Sequence, residues 1–193
     1  MTRVGVLGLQ GGVREHLQML RGLGAEAVPV RTPEDLTGPD GVRVDAMVLP
    51  GGESSVIDRL LHLTGLFAPL QQALLAGLPA LGTCAGLIEL SKEVRNPAPG
   101  QQSLGVLGVE VDRNAFGPQI ASRVATIDTE WGPVRGALIR APQIMRVYPG
   151  SEPVARDAGV LLGARTGRVI GISFHPELTG DDTVHRAFLS SIF

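Results

Sequence analysis

The single cysteine of the chain, Cys84, lies in the run Gly82-Thr83-Cys84-Ala85-Gly86, after an apolar stretch and before a segment of helical character. Glycine at both −2 and +2 of a nucleophilic side chain marks a strand-to-helix elbow, whose sharp turn lifts that side chain clear of the sheet. The helix dipole and its free N–H groups favour a thiolate there. A thiolate nucleophile needs a base, and the base needs a group that orients it. Of the four histidines, His16, His62 and His185 fall within helical patterns and read as packing or surface residues. His175 instead ends an apolar run, in Ser173-Phe174-His175-Pro176-Glu177. Residues two apart on an extended segment face the same side, so Glu177 is placed to orient His175. Cys84, His175 and Glu177 are thus a candidate triad.

A tetrahedral intermediate also needs donors for its oxyanion. The N–H of Ala85, directly after the nucleophile, is one; a second is available from the Gly51-Gly52 turn, at Gly52. Beside it, Glu53 either binds a substrate ammonium group or complements the dipole of the following helix. Three glycine-rich turns follow apolar strands: Gly8-Leu9-Gln10-Gly11-Gly12, Pro50-Gly51-Gly52-Glu53-Ser54 and the cysteine turn itself. None is a phosphate-binding Walker A loop, and the first lacks the G-x-G-x-x-G order of a dinucleotide site.

The elements that must position these residues divide the chain in two. Val4–Leu9, Ala27–Val30, Ala46–Leu49 and Leu78–Thr83 read as strands. Helical stretches alternate with them: one carrying Val13, Leu17 and Leu20 and ending at Gly24, one capped by Ser54 or Ser55, one over Leu66–Leu75 with Pro69 in its first turn, and one over Ala85–Val94. This alternation predicts a mostly parallel sheet covered on both faces. The second half offers short β-rich runs at Val106–Val111, Ile120–Ile127, Val134–Ile139, Val160–Leu162 and Val169–Phe174, with a hairpin turn at Thr166-Gly167. A terminal helix capped at Asp181 or Asp182 carries Val184, Phe188 and Ile192. Asn96–Gln102 reads as a loop. The expected fold is a single three-layer α/β domain over residues 1–193, its mostly parallel central sheet flanked by helices, with an added antiparallel region in the second half.

Composition narrows the classes. A chain of 193 residues suits one domain, and 44% hydrophobic against 19% charged residues excludes disorder of the whole. A formal charge of −2 lacks the footprint of a nucleic-acid binder. One cysteine excludes an internal disulfide and a multi-cysteine zinc site, and no metal or cofactor is expected. No apolar run approaches the length of a membrane span, so a cytoplasmic protein is the simplest expectation.

The two chemical motifs together resemble the class I, triad-type glutamine amidotransferases. Leu7-Gly8-Leu9-Gln10-Gly11, Leu49-Pro50-Gly51-Gly52-Glu53-Ser54, Arg113-Asn114-Ala115-Phe116-Gly117 and Ile139-Arg140-Ala141-Pro142 narrow the likeness to the glutaminase subunits of pyridoxal 5′-phosphate synthases. The resemblance implies hydrolysis of L-glutamine to glutamate and ammonia, with Cys84 as nucleophile, His175 as proton carrier and Glu177 holding His175. It implies glutamine contacts at Gly52, Glu53, Ser54, Arg113, Ile139 and Arg140, and a partner synthase subunit that receives the ammonia. Gln10 is an interface or gating candidate. Pro118 and a slightly expanded Asn96–Gln102 loop depart from the family pattern. Two other readings are a glutaminase serving another synthase, such as that of histidine biosynthesis, and a redox-sensing α/β protein built on Cys84.

Overall fold

The structure, a computed structural model, describes residues 1–114 and 122–193. Ala115, Phe116 and Gly117 of the arginine-containing motif, Pro118, and the start of the run expected at Ile120–Ile127 lie outside the described residues.

The first half runs β1 (Arg3–Leu7), α1 (Val13–Gly22), β2 (Glu26–Val30), α2 (Pro33–Leu36), β3 (Thr37–Gly38), β4 (Gly41–Val42), β5 (Ala46–Leu49), α3 (Ser54–Leu63), α4 (Phe67–Leu75), β6 (Ala80–Thr83) and α5 (Ala85–Leu90). There follow β7 (Ser91–Arg95), β8 (Leu107–Asp112), β9 (Arg123–Thr129), β10 (Gly132–Leu138), β11 (Gln143–Val147), β12 (Glu152–Asp157), β13 (Val160–Thr166), β14 (Val169–Ile172) and α6 (Thr183–Ser190).

Nine strands form the central sheet in the order β10-β9-β12-β13-β14-β6-β5-β1-β2. The five from β14 to β2 are parallel, and antiparallel pairings extend the sheet from β14 through β13, β12 and β9 to β10. β5, β6 and β14 are buried at every position, as expected of parallel strands covered on both faces. Alternation along them divides the core. Val4, Val6, Ala46, Val48 and Ile172 pack with Leu20 of α1 and with Val184 and Phe188 of α6. Leu7, Met47 and Leu49 face Ile57 and Leu61 of α3 and Leu70 of α4. The carboxyl ends of β1, β5, β6 and β14 therefore deliver the three glycine-rich turns and the His175 segment to one edge, where ligands collect in parallel α/β sheets.

Some expected boundaries move. The helix expected over Ala85–Val94 ends at Leu90, because Ser91 turns extended (ψ 150°) and its Oγ donates to the Ile88 carbonyl at 2.7 Å. Ser91–Arg95 then pairs in parallel with β8 in a separate sheet of order β11-β8-β7. β11 and β12 had no counterpart in the sequence reading. Neither Ser54 nor Ser55 caps α3: Glu53 is the cap residue, and it makes no side-chain capping bond. Ile192 lies beyond the end of α6, although it is buried. No helix among the described residues is long and apolar enough to cross a membrane.

Candidate active site

Cys84 sits between β6 and α5 with φ 50° and ψ −102°, a region that non-glycine residues enter only where the surroundings hold them. Its N–H donates to the Ile172 carbonyl of β14 at 2.8 Å. The flanking glycines are required by crowding. A Cβ on Gly82 would come within 2.5 Å of the Gly86 main chain, and one on Gly86 would run into the Leu49 carbonyl of β5. The elbow forms because both neighbours lack side chains.

His175 lies beyond β14, where its main chain bonds Ala137 of β10 in both directions, at 2.9 and 3.1 Å. Its Nδ1 lies 2.7 Å from Glu177 Oε1, which leaves Nε2 as the nitrogen free to serve the sulfur. The ring also packs against Gly51, where a Cβ would collide with it. Burial alone would lower the His175 pKa, but hydrogen bonding and charge from Cys84 and Glu177 outweigh it and raise the pKa to about 10. For Glu177, burial pushes upward and is overcome by the hydrogen bonds of His16 and His175, which hold the carboxyl well below the usual range. The site is therefore built to hold an imidazolium beside a carboxylate.

His16 and His185, expected as ordinary helix residues, are both fully buried behind the triad. His16 Nε2 lies 3.4 Å from Glu177 Oε1 and 3.1 Å from Thr83 Oγ1, and Thr83 Oγ1 accepts the Gly51 N–H at 3.0 Å. The only sequence signal for this role was a histidine falling on the apolar stripe of α1, close to Leu20. His62, by contrast, stacks on Phe67 and pairs with Asp58, apart from the triad.

The remaining candidates converge on the same cleft. It has a volume of about 420 Å³, within the range of small-molecule sites, and is lined by Gln10, Gly52, Cys84, Ala85, Ile139, Arg140 and His175 among others. Glu53 and Arg113 form an ion pair at 2.5 Å, and Arg113 Nε donates to Ser54 Oγ at 3.0 Å. Burial raises the Glu53 pKa, and the Arg113 guanidinium more than offsets this, so the carboxyl stays ionised. Gln10 Oε1 accepts the Glu53 N–H at 2.9 Å, and Gly51 accepts the Gly12 N–H at 3.0 Å, so the first glycine-rich turn clamps the second. Ile139 presents its carbonyl to Cys84 Sγ at 3.9 Å. Arg140 adopts φ +43° at the rim. A second, smaller cavity of about 150 Å³ beside Arg123, Leu138 and Leu162 is lined by no cysteine, serine or histidine, and its carboxylate, Asp157, is paired with Arg123.

Comparisons with known proteins agree with this arrangement. The model of the SNO glutamine amidotransferase family matches residues 6–193. The chain is 46% identical to the pyridoxal 5′-phosphate synthase subunit PdxT of Acidothermus cellulolyticus over 198 residues, covering 98% of this chain and 93% of that protein. It is 45% identical to the protein of the same name from Cutibacterium acnes, covering 98% and 96%. A crystal structure described as a glutamine amidotransferase superposes with a TM-score of 0.89 at 42% identity, covering 98% of both chains. By family match and full-length similarity alike, this chain belongs to the SNO glutamine amidotransferase family.

Proposed function

We infer that this chain, as one domain over residues 1–193, is the glutaminase subunit of a pyridoxal 5′-phosphate synthase. It hydrolyses L-glutamine to L-glutamate and ammonia and delivers the ammonia to a synthase subunit in a cytoplasmic hetero-oligomer. The observation that carries the chemistry is the placement of Cys84 at a strained elbow beside a buried His175, itself bonded to Glu177 at 2.7 Å.

In this mechanism Cys84 Sγ attacks the carbon of the side-chain amide while His175 holds the thiol proton. The oxyanion is received by the Ala85 N–H, one of the N–H groups that the first turn of α5 leaves without an intrahelical partner. Gly51 N–H is committed to Thr83, which leaves Gly52 N–H as the second donor. His175, kept oriented by Glu177, passes its proton to the departing ammonia as the C–N bond breaks. A water molecule, deprotonated by His175, then cleaves the thioester and releases glutamate. Both charges of the amino-acid end of glutamine have counterparts at the cleft mouth. The Arg113 guanidinium suits the α-carboxylate, Glu53 suits the α-ammonium, and Gly52, Ser54, Ile139 and Arg140 complete the contacts. Gln10 secures the turn that carries Gly52 and Glu53 and lines the cleft, and in this reading it is the interface or gating residue.

Relatives bearing the PdxT name favour this partner over a histidine-pathway synthase. A redox sensor would have no use for the His175–Glu177 pair. Glutamate release should require Cys84: Cys84→Ala is expected to fold normally and release none, with or without a synthase subunit. Capture from cell extract should recover a pyridoxal 5′-phosphate synthase subunit. A Cys84→Ala protein with undiminished activity would refute the mechanism, and recovery of a histidine-pathway cyclase would refute the partner.

A further inference from the structure

A chain of buried imidazoles runs behind the triad. His16 reaches in from α1 and His185 from α6, both without solvent exposure. His16 Nδ1 lies 2.9 Å from His185 Nε2, and its Nε2 is shared between Thr83 Oγ1 at 3.1 Å and Glu177 Oε1 at 3.4 Å. Each nitrogen of His16 thus has a partner, whereas His185 Nδ1 is buried without one among the described residues.

That orphan nitrogen fixes the direction of the chain. Burial lowers the His185 pKa to about 3, so the ring is neutral and has a single N–H. A hydrogen on Nδ1 would strand a buried donor, which costs more than leaving a lone pair unused. The hydrogen therefore sits on Nε2 and is donated to His16 Nδ1. With Nδ1 accepting that hydrogen, His16 carries its own on Nε2, directed at Glu177 and Thr83. Glu177 Oε1 then receives two N–H groups, from His175 and from His16, while its Oε2 is buried without a partner among the described residues. Thr83, the second atom within reach of His16 Nε2, accepts the Gly51 N–H of the turn beside the His175 ring. One imidazole thus touches the supports of both the base and the oxyanion turn.

We propose that His16 is a positioning residue of the glutaminase reaction: donating from Nε2, with its tautomer set by His185, it holds the Glu177 carboxylate that orients His175 and, through Thr83, the Gly51 turn. The proposal rests on the triad reading given above and adds to it two histidines that contact no substrate.

The test measures steady-state glutaminase kinetics with the synthase subunit present, together with nitrogen NMR of the imidazoles. His16→Leu removes the donor at similar volume, and kcat is expected to fall roughly 10–100-fold with KM within about twofold, the scale on which partners of a functional side chain act. In His16→Gln the amide nitrogen reaches the Nε2 position, and most of the lost kcat should return. Adding His16→Leu to Glu177→Ala should cost clearly less than it costs in the wild-type background, because the Glu177 contact is already gone and only the Thr83 contact is left to lose. In the wild type, His16 and His185 should both carry their ring hydrogen on Nε2 and none on Nδ1.

An unchanged kcat in His16→Leu overturns the proposal. So does a folded His16→Gln protein no better than His16→Leu, a loss in the Glu177→Ala background as large as in the wild type, or a hydrogen on His16 Nδ1. Should His16→Leu fail to fold, His16→Gln and the wild-type tautomers decide. The triad reading is judged separately, by the wild-type rate and its loss in Cys84→Ala: failure there removes the reaction, whereas an unaffected His16 variant removes only the positioning role.

Discussion

His175 and Ala137 exchange main-chain hydrogen bonds in both directions, at 2.9 and 3.1 Å, beyond the end of β14. This antiparallel bridge ties the β10 strand to the candidate active site. It fixes the backbone of His175 and brings the segment after β10 over the cleft, so that Ile139 reaches the sulfur of Cys84. The parallel half of the sheet supplies Cys84, and the antiparallel extension holds His175 in register with it.

The elbow gives a prediction in which two effects oppose each other. Within a helix, alanine is favoured over glycine by about 1 kcal/mol. At Gly86, however, the added Cβ would strike the Leu49 carbonyl of β5, a main-chain atom that cannot swing aside. Overpacking of this kind costs about 1–3 kcal/mol or more. Gly86→Ala is therefore expected to lower stability by about 2 kcal/mol in chemical denaturation and to reduce glutaminase activity. A more stable variant would show that the elbow is looser than described.

The ion pair at the cleft mouth predicts a binding defect. Arg113→Met keeps most of the aliphatic stem but removes the contacts to Glu53 and Ser54. The α-carboxylate of glutamine would lose its counter-charge and Glu53 would be left unpaired. KM for glutamine should rise roughly 10–100-fold, while kcat changes only a few-fold. A fall in kcat at constant KM would place Arg113 in the transition state instead of the ground-state complex.

The pair at the base predicts how stability depends on pH. The Glu177 carboxyl is held below its unfolded value of 4.5, so the stability it contributes is present above pH 4.5 and is lost as pH falls through the depressed value. His175 is raised from 6.5 to about 10, so its contribution is complete below pH 6.5 and is lost as pH rises through about 10. Glu177→Gln should therefore be less stable than wild type by about 2–3 kcal/mol near neutral pH, the scale of hydrogen bonds to charged groups. The gap should narrow in strong acid and again above about pH 10. Denaturant titrations across pH measure it, and a gap independent of pH would mean that the pair is not ionised.

The meeting of the candidate triad residues was legible in the sequence because its grammar is local. The two glycines flanking Cys84 are needed by contacts within and beside one turn, and Glu177 reaches His175 across a single proline. The strands β1, β5, β6 and β14 were legible because burial on both faces leaves an apolar run, and the edge strand β2 by its run Ala27–Val30. β7, β11 and β12 were not. They are short and partly exposed, and their extended state comes from pairing with β8, β9 and β13 instead of from their own residues. Nor could sequence reveal that His16 and His185, 169 residues apart, would meet. Their helical spacing correctly placed them on helices, but only the packing of α1 and α6 on one face of the sheet brings the two rings together behind Glu177. The Arg113–Glu53 pair is of the same kind, a contact between loops distant in the chain.

The central claim is that glutamine is cleaved through a covalent bond to Cys84. Its most direct test is an acid quench of the working complex during turnover of L-glutamine, followed by mass measurement of the intact chain and of its peptides. The account predicts a glutamyl adduct confined to the peptide containing Cys84, absent from Cys84→Ala. A protein that turns over glutamine at full rate with no adduct, or with the adduct on another residue, would contradict it.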